Sequence, residues 1–168
     1  MDSMTDTAPE LRVARWIDAD GEELQDPVRL SDLGAGHKII FCFQDWCPGC
    51  HSQGFPAFKA LHDALVGKGV GFAAIQTVFE GAHVNTFDKL RRNQEKYDLP
   101  IPFGHDTPPA HERFPTYMQD YDTHGTPWFT VISAAGAILY SGFTVPGAFI
   151  RAAESGASLL PTISSELE

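Results

Sequence analysis

The sequence predicts an α/β domain built on a central mixed β-sheet flanked by helices, and three observations carry that reading. The run Ile39-Ile40-Phe41-Cys42-Phe43 is rich in β-branched and aromatic residues, the composition of a strand buried on both faces. From Pro48 to about Lys68 the apolar positions Phe55, Phe58, Leu61 and Leu65 recur at helical spacing, and a second apolar run follows from Gly69 to Gln76. Strand, helix and strand in that order imply two parallel strands joined by a crossover. Trp128 to Ser133 reads as a further strand, turned at Ala135-Gly136 and returned by Ala137 to Phe143 as a hairpin, which makes the sheet mixed.

The other elements follow in order. Residues 11–18 alternate in strand fashion and Ala19-Asp20-Gly21 turns them. The strand at 38–43 and the helix after Cys47 come next. Thr86 is placed to cap a helix with inner face Phe87, Leu90, Gln94 and Tyr97, ended by Pro100, with Arg91-Arg92 on its solvated outer face. Phe103-Gly104-His105-Asp106 predicts a short strand, and 109–121 a short helix broken around Pro115. Pro146 suits the first turn of a last helix reaching about Ser155.

The chemistry concentrates in Trp46-Cys47-Pro48-Gly49-Cys50, directly after the strand. A strand-to-helix junction puts unpaired N–H groups and the positive end of the helix dipole beside the first sulfur, which stabilises a thiolate. The three-residue spacing brings the second sulfur to the same face, within reach of a disulfide. Half of a zinc site is the bland alternative, but it needs a second CxxC or a His pair. The third cysteine, Cys42, lies inside the strand, His51 merely adjoins Cys50, and His105 and His111 lack ligand spacing. A structural bridge over so short a loop removes little chain entropy. Dithiol–disulfide exchange takes precedence, with no metal and no cofactor. Far downstream, Gly125-Thr126-Pro127 stands at the mouth of a strand, a tight entry and a candidate cis bond. His105 and His124 are candidates for the active face, with surface or locally satisfied roles favoured for both.

Taken together, Trp-Cys-Pro-x-Cys at a strand-to-helix junction and a distant Gly-Thr-Pro opening a hairpin resemble the thioredoxin fold. More narrowly they resemble the TlpA-type thiol–disulfide oxidoreductases, within the alkyl hydroperoxide reductase and thiol-specific antioxidant group. The resemblance runs from about Asp20 to about Ser155. It implies a lead-in hairpin at Asp20-Gly21 with residues 28–33, and a strand–helix insertion between the two motifs. By this resemblance Cys47 is the attacking thiol and Cys50 the resolving one. Pro127 is a cis-proline facing the pair, and the Thr126 backbone is free to pair with an extended substrate. Trp46 is an apolar shelf, with ordinary packing as its alternative, and Pro48 and Gly49 complete the substrate-binding set. The chain also departs from the pattern. Phe41 stands six positions before Cys47, where thioredoxin has an acidic residue, leaving Asp45, Glu80 and His51 as weak substitutes. The helix proline, Pro56, falls six residues after Cys50 rather than five, an offset for a bulge or kink near Gly54 to absorb. Asp45 would oppose a Cys47 thiolate if its carboxylate faced the sulfur.

Composition bounds the rest. The 168 residues, 43% hydrophobic, suffice for one core; residues 11–158 form the expected domain, between a flexible stretch at 1–10 and a flexible acidic tail at 159–168. A net charge of −10 argues against nucleic acid and against an anionic membrane as partner. The polar start Met1-Asp2-Ser3-Met4-Thr5-Asp6 lacks the features of a secretory signal, which predicts a cytoplasmic protein, or a periplasmic one if a signal or anchor precedes this chain. The expected partners are disulfide-bearing protein substrates and a thiol reductase that recycles the pair. Two other functions compete. A peroxiredoxin-like peroxidase would have a Pro and a Thr ahead of the cysteine, which Gln44-Asp45-Trp46 does not supply. A non-catalytic binding module would have no need of two intact cysteines.

Overall fold

The computed structural model describes residues 6–149 and 151. Six strands form one sheet: β1 (Arg15–Ile17), β2 (Lys38–Phe43), β3 (Gly71–Thr77), β4 (Phe103–Asp106), β5 (Trp128–Ile132) and β6 (Ile138–Gly142). Their spatial order is β1-β4-β3-β2-β5-β6. The centre, β2, β3 and β4, is parallel, and β1, β5 and β6 run antiparallel to their neighbours. The fold is thus the mixed α/β sheet that the pattern predicts.

β2 is buried from end to end, and its alternation feeds two cores. Ile39, Phe41 and Phe43 point into one, with Phe55, Phe58, Phe103 and Phe129; Ile40 and Cys42 point into the other, with Trp16, Tyr117 and Trp128. Phe41 is the hub of the first. Its ring lies 4.9 Å from Phe55, 5.1 Å from Phe58 and 5.0 Å from Phe129, centroid to centroid.

After Cys47 the chain turns helical at 48–49, widens into a π-helical turn at Cys50–Gly54, and continues as α1 (Phe55–Leu65). A π-turn accommodates one extra residue in a helix, so it absorbs the displaced Pro56, which sits in the first turn of α1 where its missing N–H is harmless. α1 stops at Leu65, short of Lys68, because Val66 is extended and Gly67 and Gly69 take positive φ. β3 then starts under a tight lid: a Cβ on Gly71 would stand 1.9 Å from the Leu33 carbonyl oxygen.

Several expectations are corrected. The first strand is only Arg15–Ile17, and the lead-in hairpin consists of that strand against 22–24, with Ile17 opposite Glu23. Residues 28–33 are not part of it. Leu30–Leu33 is a 3-10 turn, because the Asp32 carboxylate accepts the Arg29 N–H at 2.9 Å and holds the backbone in a local loop. The insertion helix α2 is Lys89–Lys96, and Thr86 does not cap it; its hydroxyl donates to Asp88 instead. α3 (Thr116–Tyr121) begins just after Pro115, where Asp106 of β4 accepts the N–H groups of Thr116 (3.2 Å) and Tyr117 (2.7 Å) and so caps it from a distance. Residues 6–10, assigned to the flexible N-terminus, are tied to the sheet. Thr7 bridges Ala137, Ala8 is buried, and the Pro9 carbonyl accepts the Tyr121 hydroxyl at 2.5 Å. Residues 147–149 begin the last helix; its continuation to Ser155, the 159–168 tail and residues 1–5 lie outside the described residues. Among the described residues no helix is long and apolar enough to cross a membrane.

Candidate active site

β2 ends at Phe43, and Gln44-Asp45-Trp46 carry the chain over the sheet edge into Cys47. The Cys47 N–H donates to the Gln44 carbonyl at 3.1 Å, which closes the turn. Cys47 is half-buried and Cys50 buried, with their sulfurs 2.7 Å apart. The Cys50 N–H is shared at 3.2 Å between the Cys47 carbonyl and the Cys47 Sγ, a helix-start donor that reaches the sulfur as well as the backbone. On the other side, the Cys47 thiol reaches the Thr126 carbonyl at 3.6 Å. Burial pushes the Cys50 thiol up, and its hydrogen bond with Cys47 adds to the shift.

The peptide between Thr126 and Pro127 is cis. Pro127 stands against the helix start: a Cβ on Gly49 would lie 3.7 Å from its ring, and one on Gly54 would lie 2.8 Å from it and 2.9 Å from the Phe41 ring. Glycine at 54 is therefore required by the close approach of three segments. Trp46, 49% exposed, Pro48 and Thr126 line a cleft of about 520 Å³ with Cys47, Glu80 and Phe143. A smaller cavity of about 230 Å³ lies on the far side of Pro127.

The loop before Cys47 is clamped by residues the sequence reading did not assign to the site. Gln76 of β3 accepts the Asp45 N–H at 3.0 Å, and Asn85 accepts the Trp46 N–H at 3.1 Å. With its amide turned to satisfy both ends, Gln44 donates to the Glu80 carbonyl (3.0 Å) and accepts from the Trp46 indole (3.3 Å). His51 donates through Nε2 to the Asp45 carbonyl at 2.6 Å, so its Nδ1 accepts the Tyr97 hydroxyl at 2.5 Å. Tyr97 in turn stacks on Phe55, centroids 4.1 Å apart. All these clamps except Gln44 and His51 come from the β3–α2 insertion. Their one signal in the sequence is a set of amides, Gln76, Asn85 and Asn93, at buried positions.

The remaining candidates sort out by geometry. Phe41 fills the space beneath the helix start. The Asp45 carboxylate is turned to α2, where Asn93 donates to it at 3.0 Å, so the condition for it to oppose a Cys47 thiolate is not met. Glu80 and His124 line the cleft with Cys47, whereas His105 lies beneath the sheet end, accepting from Gln76 at 3.2 Å. Cys42 is fully buried in the second core, and burial raises its thiol well above the ordinary range. Among the described residues no group of three His, Cys, Asp or Glu side chains is placed to hold a metal ion.

Comparison with known proteins bears on the family and the fold. The crystal structure of a thioredoxin-like superfamily protein is 28% identical, with a TM-score of 0.75 over 89% of this chain and 94% of that one. A thiol-disulfide isomerase from Corynebacterium glutamicum is 24% identical, with a TM-score of 0.71 over 89% and 95%. A thiol:disulfide interchange protein of the thioredoxin family from Chlorobium tepidum is 19% identical, with a TM-score of 0.63 over 94% and 99%. The last two speak for the fold alone. No curated protein matches. The AhpC/TSA family profile matches residues 4–141, most of the chain from before the first strand to the return strand of the last hairpin. The chain therefore belongs to the AhpC/TSA family and has the fold of the thioredoxin-like superfamily.

Proposed function

We propose that the protein reduces disulfides of protein substrates through the Cys47–Cys50 dithiol. The observation that carries this reading is the sulfur pair itself: one half-buried thiol on an open cleft, receiving an N–H, 2.7 Å from a buried partner. Cys47 as thiolate attacks one sulfur of a substrate disulfide. A Cys47–substrate mixed disulfide forms, and the other substrate sulfur leaves as a thiolate that takes up a proton. Cys50 then loses its proton and attacks the Cys47 sulfur, closing the Cys47–Cys50 disulfide and expelling the second substrate thiolate. Two electrons pass to the substrate, and a dithiol reductase returns them to the pair. Trp46, Pro48, Gly49, Thr126 and Pro127 surround Cys47 and serve as the substrate surface, with the Thr126 carbonyl beside the reacting sulfur.

The direction of the chemistry rests on how little the reduced pair stabilises a thiolate. Burial keeps the Cys50 thiol protonated, and Cys47 receives only an N–H shared with its own carbonyl, which together favour a reducing couple. Equilibration with glutathione tests it. The expected potential lies nearer about −270 mV than the about −120 mV of a strong oxidant; a value near the latter would overturn the direction. Family membership also keeps a thiol peroxidase in view. An insulin-reduction assay run beside a peroxide-consumption assay separates the two. Disulfide reduction that is lost in Cys47→Ser, with mixed disulfides trapped in Cys50→Ser, supports the proposal; efficient peroxide turnover without insulin reduction would sink it.

A further inference from the structure

Beside the cleft at Cys47 lies a second cavity of about 440 Å³, lined by Phe79, Phe114, Met118, Thr123 and His124 among others. Phe79 and His124 line both, so the two cavities are neighbours, and together they make a two-part groove on this face. Each lies in the size range of small-molecule and side-chain pockets, roughly 300–1,000 Å³.

Three features give the groove a use. The first is where apolar surface is left uncovered. Among the described residues five large apolar side chains are prominently exposed. Trp46 and Phe143 line the part at Cys47, and Phe114, 43% exposed, lines the part at α3. Val84 lies close by, sharing with Trp46 the space beside Gly81, and only Val66, after α1, is elsewhere. Exposed apolar surface gathered in one place marks an interaction site. The second is polar. Thr123 is buried in the wall of the second cavity, and its hydroxyl has no partner among the described residues, so the wall holds a polar group with an unmet hydrogen bond. The third is charge. Glu80 and Asp122 line the groove, whereas no lysine or arginine does; Arg113 lies against Phe114 at 5.3 Å but is not part of the lining.

We propose that the cavity between Phe79, Phe114, Met118 and His124 is a second substrate subsite, taking a bulky apolar side chain of the same polypeptide whose disulfide meets Cys47. It rests on the oxidoreductase reading above and adds a sequence preference to it. The preferred substrate is an extended segment with an aromatic or large aliphatic residue a few positions from its cysteine and with Lys or Arg beside it to meet Glu80 and Asp122.

The test uses the whole protein and a set of peptides with one cysteine held as a mixed disulfide with nitrothiobenzoate. Cys47 attacks the peptide sulfur, the coloured nitrothiobenzoate thiolate leaves, and Cys50 then releases the peptide thiol. A single Phe is moved position by position on either side of the cysteine, with Ser as the reference. At one position kcat/KM is expected to rise about tenfold over Ser, the worth of burying one large apolar side chain. In Phe114→Ser/Met118→Ser that ratio should fall towards one. Met118→Gln replaces the double variant if the latter does not fold. Release of nitrothiobenzoate at equal rates from every peptide would overturn the subsite while leaving the oxidoreductase reading intact. If neither the peptides nor a small-molecule disulfide are reduced, that reading fails instead. Calorimetry with peptides carrying Ser for Cys then decides the subsite: Phe-dependent binding supports it, and its absence overturns it.

Discussion

At the scale of single residues, burial decides which titratable groups react and which only respond to pH. Cys42 is enclosed by the second core and has no path to solvent. Cys42→Ala should therefore keep disulfide reductase activity near that of the parent and cost about 1 kcal/mol of stability for the cavity it leaves. Rapid alkylation of Cys42 in the native protein would refute this. His105 responds to acid. Burial, aided by the charge of Arg15, lowers its pKa from 6.5 to about 4. Between those values the folded chain binds fewer protons than the unfolded one, so its contribution is complete above about pH 6.5 and is lost as pH falls through about 4. His105→Gln, which keeps an acceptor for Gln76, should flatten that loss by up to about 2 kcal/mol after allowance for partial solvent access. Urea unfolding of both proteins between those pH values measures it; parallel curves would contradict the assignment. The candidate site residues were legible because Cys47, Cys50 and Pro127 each sit in a short motif whose spacing points to the geometry observed. Asn85, Asn93 and Tyr97 were not, because their partners lie 39, 48 and 46 positions away, and no local pattern records such a pairing.

At the scale of elements, the helix start shows how a small irregularity is accommodated. The misplaced Pro56 signalled an extra residue, and the π-helical turn at Cys50–Gly54 is where it goes. The turn brings Gly54 against Pro127 and Phe41 at distances no Cβ tolerates. Gly54→Ala should force the proline loop away from the sulfur pair, at a cost of about 1–3 kcal/mol, and lower kcat/KM by roughly tenfold or more. Retention of full activity with an unchanged melting temperature would show the contact to be slack. β2, β3 and the β5–β6 hairpin were legible because long apolar runs have one stable solution in a helix-covered sheet. β1 was overestimated and the 3-10 turn at Leu30–Leu33 missed, since alternation reports a face but not a partner, and side-chain bonds such as Asp32 to Arg29 compete with pairing.

On the scale of the molecule, the two cores depend on chain that the pattern had left loose. Ala8, Thr7 and Pro9 lie across β6 and α3, so the N-terminal stretch fastens the outer edge of the sheet to the layer beneath it. Removal of residues 1–9 should destabilise the protein by about 1–2 kcal/mol, from the lost hydrogen bonds and the uncovered apolar surface. Chemical denaturation of the truncated chain checks this, and an unchanged midpoint would mean the strap is slack. A polar stretch with one alanine and one proline carries no hydrophobic period, so no local pattern marks it as part of the fold.

Phe41 has a consequence for kinetics. With an aromatic ring at the centre of the core where the resemblance leads one to expect a carboxylate, no carboxylate among the described residues acts on Cys50 from beneath. The proton that Cys50 must surrender before it attacks is then expected to be collected by a solute that reaches the pair from the cleft at Cys47. Resolution of the mixed disulfide should then show general-base catalysis from outside: at constant pH and ionic strength its rate should climb with the concentration of imidazole buffer. A rate indifferent to buffer would reveal an acceptor within the protein. If the dependence holds, the speed of this step belongs partly to the medium, and the protein works as one half of a catalyst whose other half is dissolved around it.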